Sequence, residues 1–228
     1  MHRDCELLVI GGGMAAGRLM QQLHEHAYSK KTIVISGEKH AGYNRVMLPG
    51  FLAGQYSVEQ MCGQADWQSR SNFTVLPGLT VTQIEQSSRS VLTDSGMQIG
   101  FTELVIATGS TVVRPQTTGT ELAGVVELRN LNDAEQLQSM AARGRHAVVV
   151  GGGLLGLEAA DALLQLGMQV RVVHRGGQLM NRQLDQAAGE ELGRILSHRG
   201  MHLSLGAQLG AIEGDRQVES VVLDDGAS

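Results

Sequence analysis

Residues 147 to 177 read AVVVGGGLLGLEAADALLQLGMQVRVVHRGG. The stretch opens on an apolar run and breaks at three glycines. It continues as helix-forming residues with apolar periodicity and closes on a second apolar run, QVRVV at 169 to 173. Strand, glycine turn, helix, strand is a βαβ unit, and parallel strands joined by a helix call for an α/β fold. Gly151, Gly153 and Gly156 keep the G-x-G-x-x-G spacing. In that spacing the first glycine permits a tight turn and the second lets backbone approach a diphosphate. The third allows the helix to pack closely on the strand.

The pattern occurs a second time. LLVIGGGMAAGRLMQQL begins at Leu7, and Gly151 stands 140 residues after Gly11. Here Gly11, Gly13 and Ala16 satisfy the Gly/Ala form of the spacing, and TIVIS at 32 to 36 is the second apolar run. The N–H groups of such a turn and the positive end of the helix dipole favour a diphosphate. A single glycine turn is weak evidence of a ligand. Two in one chain, each between a strand and a helix, indicate two dinucleotide sites. The expected fold is α/β with two Rossmann-like dinucleotide-binding units, one over 1–115 and one over 116–228.

The copies differ where the second strand ends. In the first, ISGEKH places Glu38 after the strand, 27 residues beyond Gly11. A carboxylate there accepts hydrogen bonds from ribose hydroxyls, although a solvated surface glutamate fits the same position. In the second, VRVVHRGG carries His174 and Arg175 and no carboxylate. A guanidinium suits a 2′-phosphate, which leans the site slightly towards NADPH. Alternatively both residues are solvated and backbone holds the ribose. Glu158, two residues beyond Gly156, is expected on the first turn of its helix. There it serves either the helix dipole or a reaction centre.

Between the copies, FTVLPGLTVTQIEQSSRSVLTDSGMQI at 73 to 99 alternates around Pro77-Gly78 and Asp94-Ser95-Gly96. Short antiparallel strands are expected there. ELVIATGS at 103 to 110 predicts a further strand, and NDAEQLQSMAA a helix capped by Asn132 or Asp133. After the helical QAAGEELGRILSHRG, the tail from Met201 again reads as short alternating strands.

A formal net charge of −5 over 228 residues leaves no basic excess for nucleic acid. No apolar run reaches membrane-spanning length, and Asp4 and Glu6 interrupt any leader-like segment. A cytoplasmic location is expected. Cys5 and Cys62 match no metal-ligand spacing and read as buried, inert thiols, and no metal site is expected.

These features resemble the two-dinucleotide-binding-domain flavoproteins, the pyridine nucleotide-disulfide oxidoreductase superfamily. Within it the chain is similar to the flavin modules of assimilatory NAD(P)H nitrite reductase large subunits and of nitrate reductase electron-transfer subunits. GYNRVMLPGFLAG at 42 to 54, GGGLLGLEAADAL at 151 to 163 and LMNRQLD at 179 to 185 carry that likeness. The resemblance implies an FAD-dependent NAD(P)H oxidoreductase. Gly11, Gly13, Ala16 and Glu38 would bind the ADP part of FAD, and Asn44 and Arg45 would lie along it. Thr108 and Gly109 would sit where the chain leaves the FAD domain. The second fingerprint would hold NADH or NADPH, with Glu158 as the catalytic carboxylate at the flavin–nicotinamide junction.

Three departures from the superfamily pattern qualify the expectation. The segment that carries redox-active cysteines in disulfide reductases holds no thiol here. Pro49-Gly50 stands where related carrier reductases often place Ser-Lys. The flavin-contacting Gly-Asp segment that completes the FAD domain lies beyond Ser228, so the chain reads as an N-terminal fragment with that domain incomplete. Expected partners are a downstream iron–sulfur/sirohaem domain or a small electron carrier, as in ferredoxin and rubredoxin reductases. A non-catalytic nucleotide-binding module is the third possibility.

Overall fold

The computed structural model describes residues 2–62 and 66–224. The chain divides into two compact units, Met1–Met47 with Tyr56–Thr111, and Leu48–Gln55 with Val112–Ser228. A single boundary at 115/116 does not describe this division, because the segment 48–55 leaves the first unit and joins the second.

The first unit begins with β1 (His2–Ile10), α1 (Met14–Glu25) and β2 (Thr32–Ser36). The segment from Arg45 then runs through a 3-10 turn, Arg45–Met47, into two five-residue helices, α2 (Leu48–Leu52) and α3 (Val58–Cys62). A second 3-10 turn, Asp66–Ser69, precedes β3 (Phe73–Pro77), β4 (Val81–Glu85), β5 (Ser90–Thr93) and β6 (Gln98–Ile106). The strands form one sheet in the order β3-β2-β1-β6-β5-β4. β3, β2, β1 and β6 run parallel, and β4, β5 and the start of β6 form an antiparallel meander.

Alternation along the central strands fills both faces of this sheet, as the two-residue period of a strand requires. Leu8, Ile10, Ile33 and Ile35 pack with Val91 and Ile99 on one face. Leu7, Val9 and Val34 pack with Ala16 and Met20 of α1, and with Trp67 and Phe73, on the other. β2 is buried at every residue, as a strand paired on both edges and covered on both faces must be.

The second unit carries α4 (Leu131–Ala141), β7 (His146–Val150), α5 (Leu154–Gln165), β8 (Gln169–His174), α6 (Gln186–His198) and β9 (His202–Leu205). Its sheet, β7-β8-β9, is wholly parallel. An antiparallel hairpin, β10 (Leu209–Glu213) and β11 (Ser220–Leu223), follows. The short helix α2 packs here, against α4 and α5. Gln138 of α4 holds it, donating from Nε2 to the Phe51 and Leu52 carbonyls at 2.8 and 3.1 Å.

Two sequence expectations are corrected, and the direction of a third strand is supplied. FTVLP forms β3, a parallel neighbour of β2 and not a meander strand, and HLSL forms β9, parallel to β8. Each is the third strand of its unit, and pairing with a buried second strand overrides a run too short to declare its direction. The cap of α4 is Asn130, not Asn132 or Asp133. Its Oδ1 accepts from the Asp133 N–H at 3.0 Å, while Asp133 Oδ2 accepts from the Asn130 N–H at 3.0 Å. This reciprocal box needs the carboxylate three residues after the cap, which selects Asn130.

Cys5 is 7% exposed within the sheet's apolar face, and its thiol donates to the Gly100 carbonyl at 3.5 Å. Cys62 is only half-buried, so the expectation of two buried thiols holds for one. Burial pushes the Cys5 thiol up to about 11 from its ordinary 9.0. Between these values the unfolded chain has released this proton and the folded chain keeps it, so stability falls as pH rises through the window. Denaturant unfolding of wild type and Cys5→Ala from pH 8 to 11 is expected to show a steeper loss above pH 9 in wild type. Parallel curves would contradict the assignment.

Candidate functional site

Each unit builds the same device at the end of its first strand. In the first unit Gly11 has a φ of +109°, and its N–H donates to the Ile35 carbonyl of β2 at 2.8 Å. A side chain here would run into the Ala107 carbonyl, just after β6, so glycine is obligatory on both counts. A Cβ on Gly12 would strike the buried Ser36. The outer side of the turn is open: a Cβ on Gly13 would meet only Arg45 Nη2, at 3.9 Å.

In the second unit Gly151 has a φ of +120° and donates to the Val173 carbonyl of β8, also at 2.8 Å. Space in front of Gly151 and Gly153 is open to at least 4 Å. Gly156 does the packing, since a Cβ there would collide with the Gly151 carbonyl. Ala16, buried at the corresponding position of α1, fills the same role with a methyl group.

Helix N-termini leave four N–H groups without intrahelical partners. α4 satisfies some through Asn130, and α6 through Asp185, which accepts from the Ala188 N–H at 2.9 Å. α1 and α5 do neither. Each starts on a glycine, with no side-chain cap and no acid in its first turn. Uncapped donors, a positive dipole end, no acid in the first helical turn and open space suit an anionic diphosphate. The first turn adds a buried Arg45 Nε with no hydrogen-bond partner.

After the second strand of each unit, the chain returns to the glycine turn. Gly42 N–H donates to the Gly12 carbonyl at 2.7 Å, and Met180 N–H donates to the Gly152 carbonyl at 2.9 Å. GYNRVML and LMNRQLD are therefore structural equivalents that close over the two turns. Sequence reasoning missed the buried residues that flank these contacts, Tyr43 and Leu179. The available signal was an apolar or aromatic residue recurring in the polar loop after each second strand.

Glu38 is brought to the first turn. Its Oε2 accepts from the Tyr43 hydroxyl at 2.5 Å, and its Oε1 pairs with Arg45 Nη2. Asn44 is exposed, and its side chain accepts from the Val46 N–H at 3.1 Å. Thr108 lies with its backbone against Gly11, and Gly109 follows with a φ of +76°. At the second turn the His174 ring lies over Gly152, with Nε2 buried and without a hydrogen-bond partner. Asn181 joins it beside Gly176. Arg175 is exposed and makes no hydrogen bond or ion pair among the described residues. Glu158 is the fifth residue of α5, so it falls beyond the first turn; the third fingerprint glycine is already inside the helix. It is half-buried and has no side-chain partner among the described residues. No cluster of three or more metal-ligating side chains occurs among the described residues, and no described helix is long and apolar enough to cross a membrane.

Residues 5–228 match the family described as pyridine nucleotide-disulphide oxidoreductase. The chain belongs to this family. It is 35% identical, over 98% of its length, to nitrite reductase [NAD(P)H] of Bacillus subtilis, of which it spans 28%. It is 30% identical, over 96% of its length, to the benzene 1,2-dioxygenase system ferredoxin–NAD(+) reductase subunit of Pseudomonas putida, of which it spans 54%. Among solved structures, the ferredoxin reductase for the CYP199A2 system from Rhodopseudomonas palustris superposes with a TM-score of 0.86 at 25% identity. That superposition covers 97% of this chain and 55% of the other. The chain thus spans about half or less of these relatives' lengths.

The collision at Gly156 makes a direct test of the shared device. Gly156→Ala is expected to lower unfolding stability by about 1–3 kcal/mol, the usual range for overpacking against a fixed backbone. Urea titration of the two proteins measures this. An unchanged midpoint would show that α5 does not need glycine at that contact.

Proposed function

We propose that this chain is the FAD- and NAD(P)H-binding module of an electron-transfer oxidoreductase. The first turn, with Gly11, Gly13, Ala16, Glu38, Asn44, Arg45, Thr108 and Gly109, takes the ADP part of FAD. The second, with Gly151, Gly153, Gly156, His174 and Arg175, takes NADH or NADPH. The observation that carries this reading is the pair of uncapped helix N-termini, each behind an open glycine turn, beside two helices that cap themselves.

The ends of the second strands support the division of labour. An ionised carboxylate offers about four lone-pair sites, and Tyr43 and Arg45 use two of those on Glu38. The others remain for ribose hydroxyls, which suits an adenosine without a 2′-phosphate. The second turn has an imidazole instead, and an exposed guanidinium that is unpaired among the described residues. When bound, FAD supplies the conversion between two-electron chemistry of a nicotinamide and one-electron delivery to an acceptor. The protein's own part is to bind, orient and balance charge. We assign Glu158 as the carboxylate beside the nicotinamide.

The likeness to nitrite reductase [NAD(P)H] favours an iron–sulfur/sirohaem centre of nitrite or nitrate assimilation as the acceptor, on chain beyond these residues. The likeness to a ferredoxin–NAD(+) reductase subunit supports a second reading, with a small carrier protein as acceptor. The visible spectrum of the purified chain tests the flavin assignment common to both. Flavin bands that bleach on anaerobic addition of NADH or NADPH are expected. A colourless protein that still binds NAD(P)H would overturn it.

Arg175 generates a separate expectation. Arg175→Glu, assayed with an artificial one-electron acceptor, should shift the ratio of KM for NADPH to KM for NADH by about tenfold or more against NADPH, the scale of a lost charged hydrogen bond. An unchanged ratio would remove Arg175 as the selector.

A further inference from the structure

Tyr43 stands out among the residues around the first turn because nothing in the fingerprint calls for it. It is 1% exposed, in a loop whose neighbours are open to solvent. Its hydroxyl donates to Glu38 Oε2 at 2.5 Å, and the Arg45 guanidinium lies over its ring, 5.7 Å from the centroid. Arg45 in turn pairs with the other oxygen of the same carboxylate. One buried phenol therefore touches both charged groups that face the turn.

The backbone at Glu38 is fixed as well. Its N–H donates to Ser36 Oγ at 3.2 Å, and its carbonyl accepts from the Gly78 N–H at 3.2 Å. The remaining freedom is in the side chain, whose carboxylate and its partner Arg45 are both more than a quarter exposed. A surface pair of this kind is held weakly by charge alone. The buried hydroxyl supplies a charge-assisted hydrogen bond, which is stronger and directional.

We propose that Tyr43 is the positioning residue of the first site. Its hydroxyl turns the Glu38 carboxylate so that the free lone pairs meet the adenosine ribose hydroxyls, and its ring seats the Arg45 guanidinium beside Gly13. This rests on the assignment of the first turn to FAD. Tyr43 acts on the ribose only through Glu38, and that distinguishes positioning from a general packing role.

The test uses two probes on the full chain stripped of flavin: FAD, and an FAD analogue whose adenosine carries no 2′- or 3′-hydroxyl. Affinities are read from flavin fluorescence. Wild type is expected to prefer FAD by about tenfold or more, the scale of hydrogen bonds to a charged group. Tyr43→Phe keeps the buried ring; it should weaken FAD by about that factor and leave the analogue's affinity unchanged. Equal weakening of both probes would make Tyr43 a packing residue, and no weakening of either would remove the role altogether; both results overturn the proposal. If Tyr43→Phe does not fold, Glu38→Gln keeps the proposal falsifiable, since Glu38 sits at a partly exposed position. Retention of the FAD preference in that variant would overturn the proposal. Wild-type protein that binds neither probe would overturn the FAD assignment itself.

Discussion

Two backbone hydrogen bonds of equal length govern this chain. Gly11 N–H reaches the Ile35 carbonyl and Gly151 N–H reaches the Val173 carbonyl, both at 2.8 Å. Each extends the pairing of first and second strands by one residue and then forces the chain into a positive φ, where the helix begins. L side chains are costly in that conformation, and at Gly11 the Ala107 carbonyl leaves no room for one. The helix N-terminus is thereby delivered to the C-terminal edge of a parallel sheet, where open α/β folds bind ligands.

Electrostatics follows from that placement. α1 and α5 meet the solvent with bare N–H groups, while α4 and α6 spend an Asn and an Asp on their own. With glycine at the cap position, the lack of a capping side chain costs each helix only about a few tenths of a kcal/mol. That is a small stability concession that an anionic ligand would offset. The returning loops complete each turn by donating to the middle glycine's carbonyl, through Gly42 in one unit and Met180 in the other. Met180 does so at a φ of +51°, which a non-glycine residue adopts rarely.

Much of this was legible in the sequence. The two βαβ units were, because glycine punctuation coincides with a change of apolar period from two to three or four. The direction of β3 and β9 was not. Five and four residues next to turn signals look alike whether the strand joins a parallel sheet or a hairpin, and only burial of the whole of β2 and half of β8 resolves it. Glu158 was misplaced by a turn because the fingerprint's third glycine already lies inside α5. His174 was legible by position, but the burial of its orphaned Nε2 beside Gly176 and Asn181 is a matter of side-chain packing, which spacing cannot show. The joining of segment 48–55 to α4 and α5 is likewise a tertiary result, secured by Gln138.

The dinucleotide assignment of both turns stands or falls on where ligands perturb the backbone. Amide chemical shifts of the 15N-labelled chain, followed during titration with FAD and then with NADH or NADPH, report this directly. The expected result is that FAD moves the amides of Gly12 to Ala16, and that the nicotinamide nucleotide moves those of Gly152 to Gly156. The N–H groups of α4 and α6 that Asn130 and Asp185 already hold should stay in place. Shifts confined to α4, α6 or the hairpin, with both glycine turns unmoved, would contradict it.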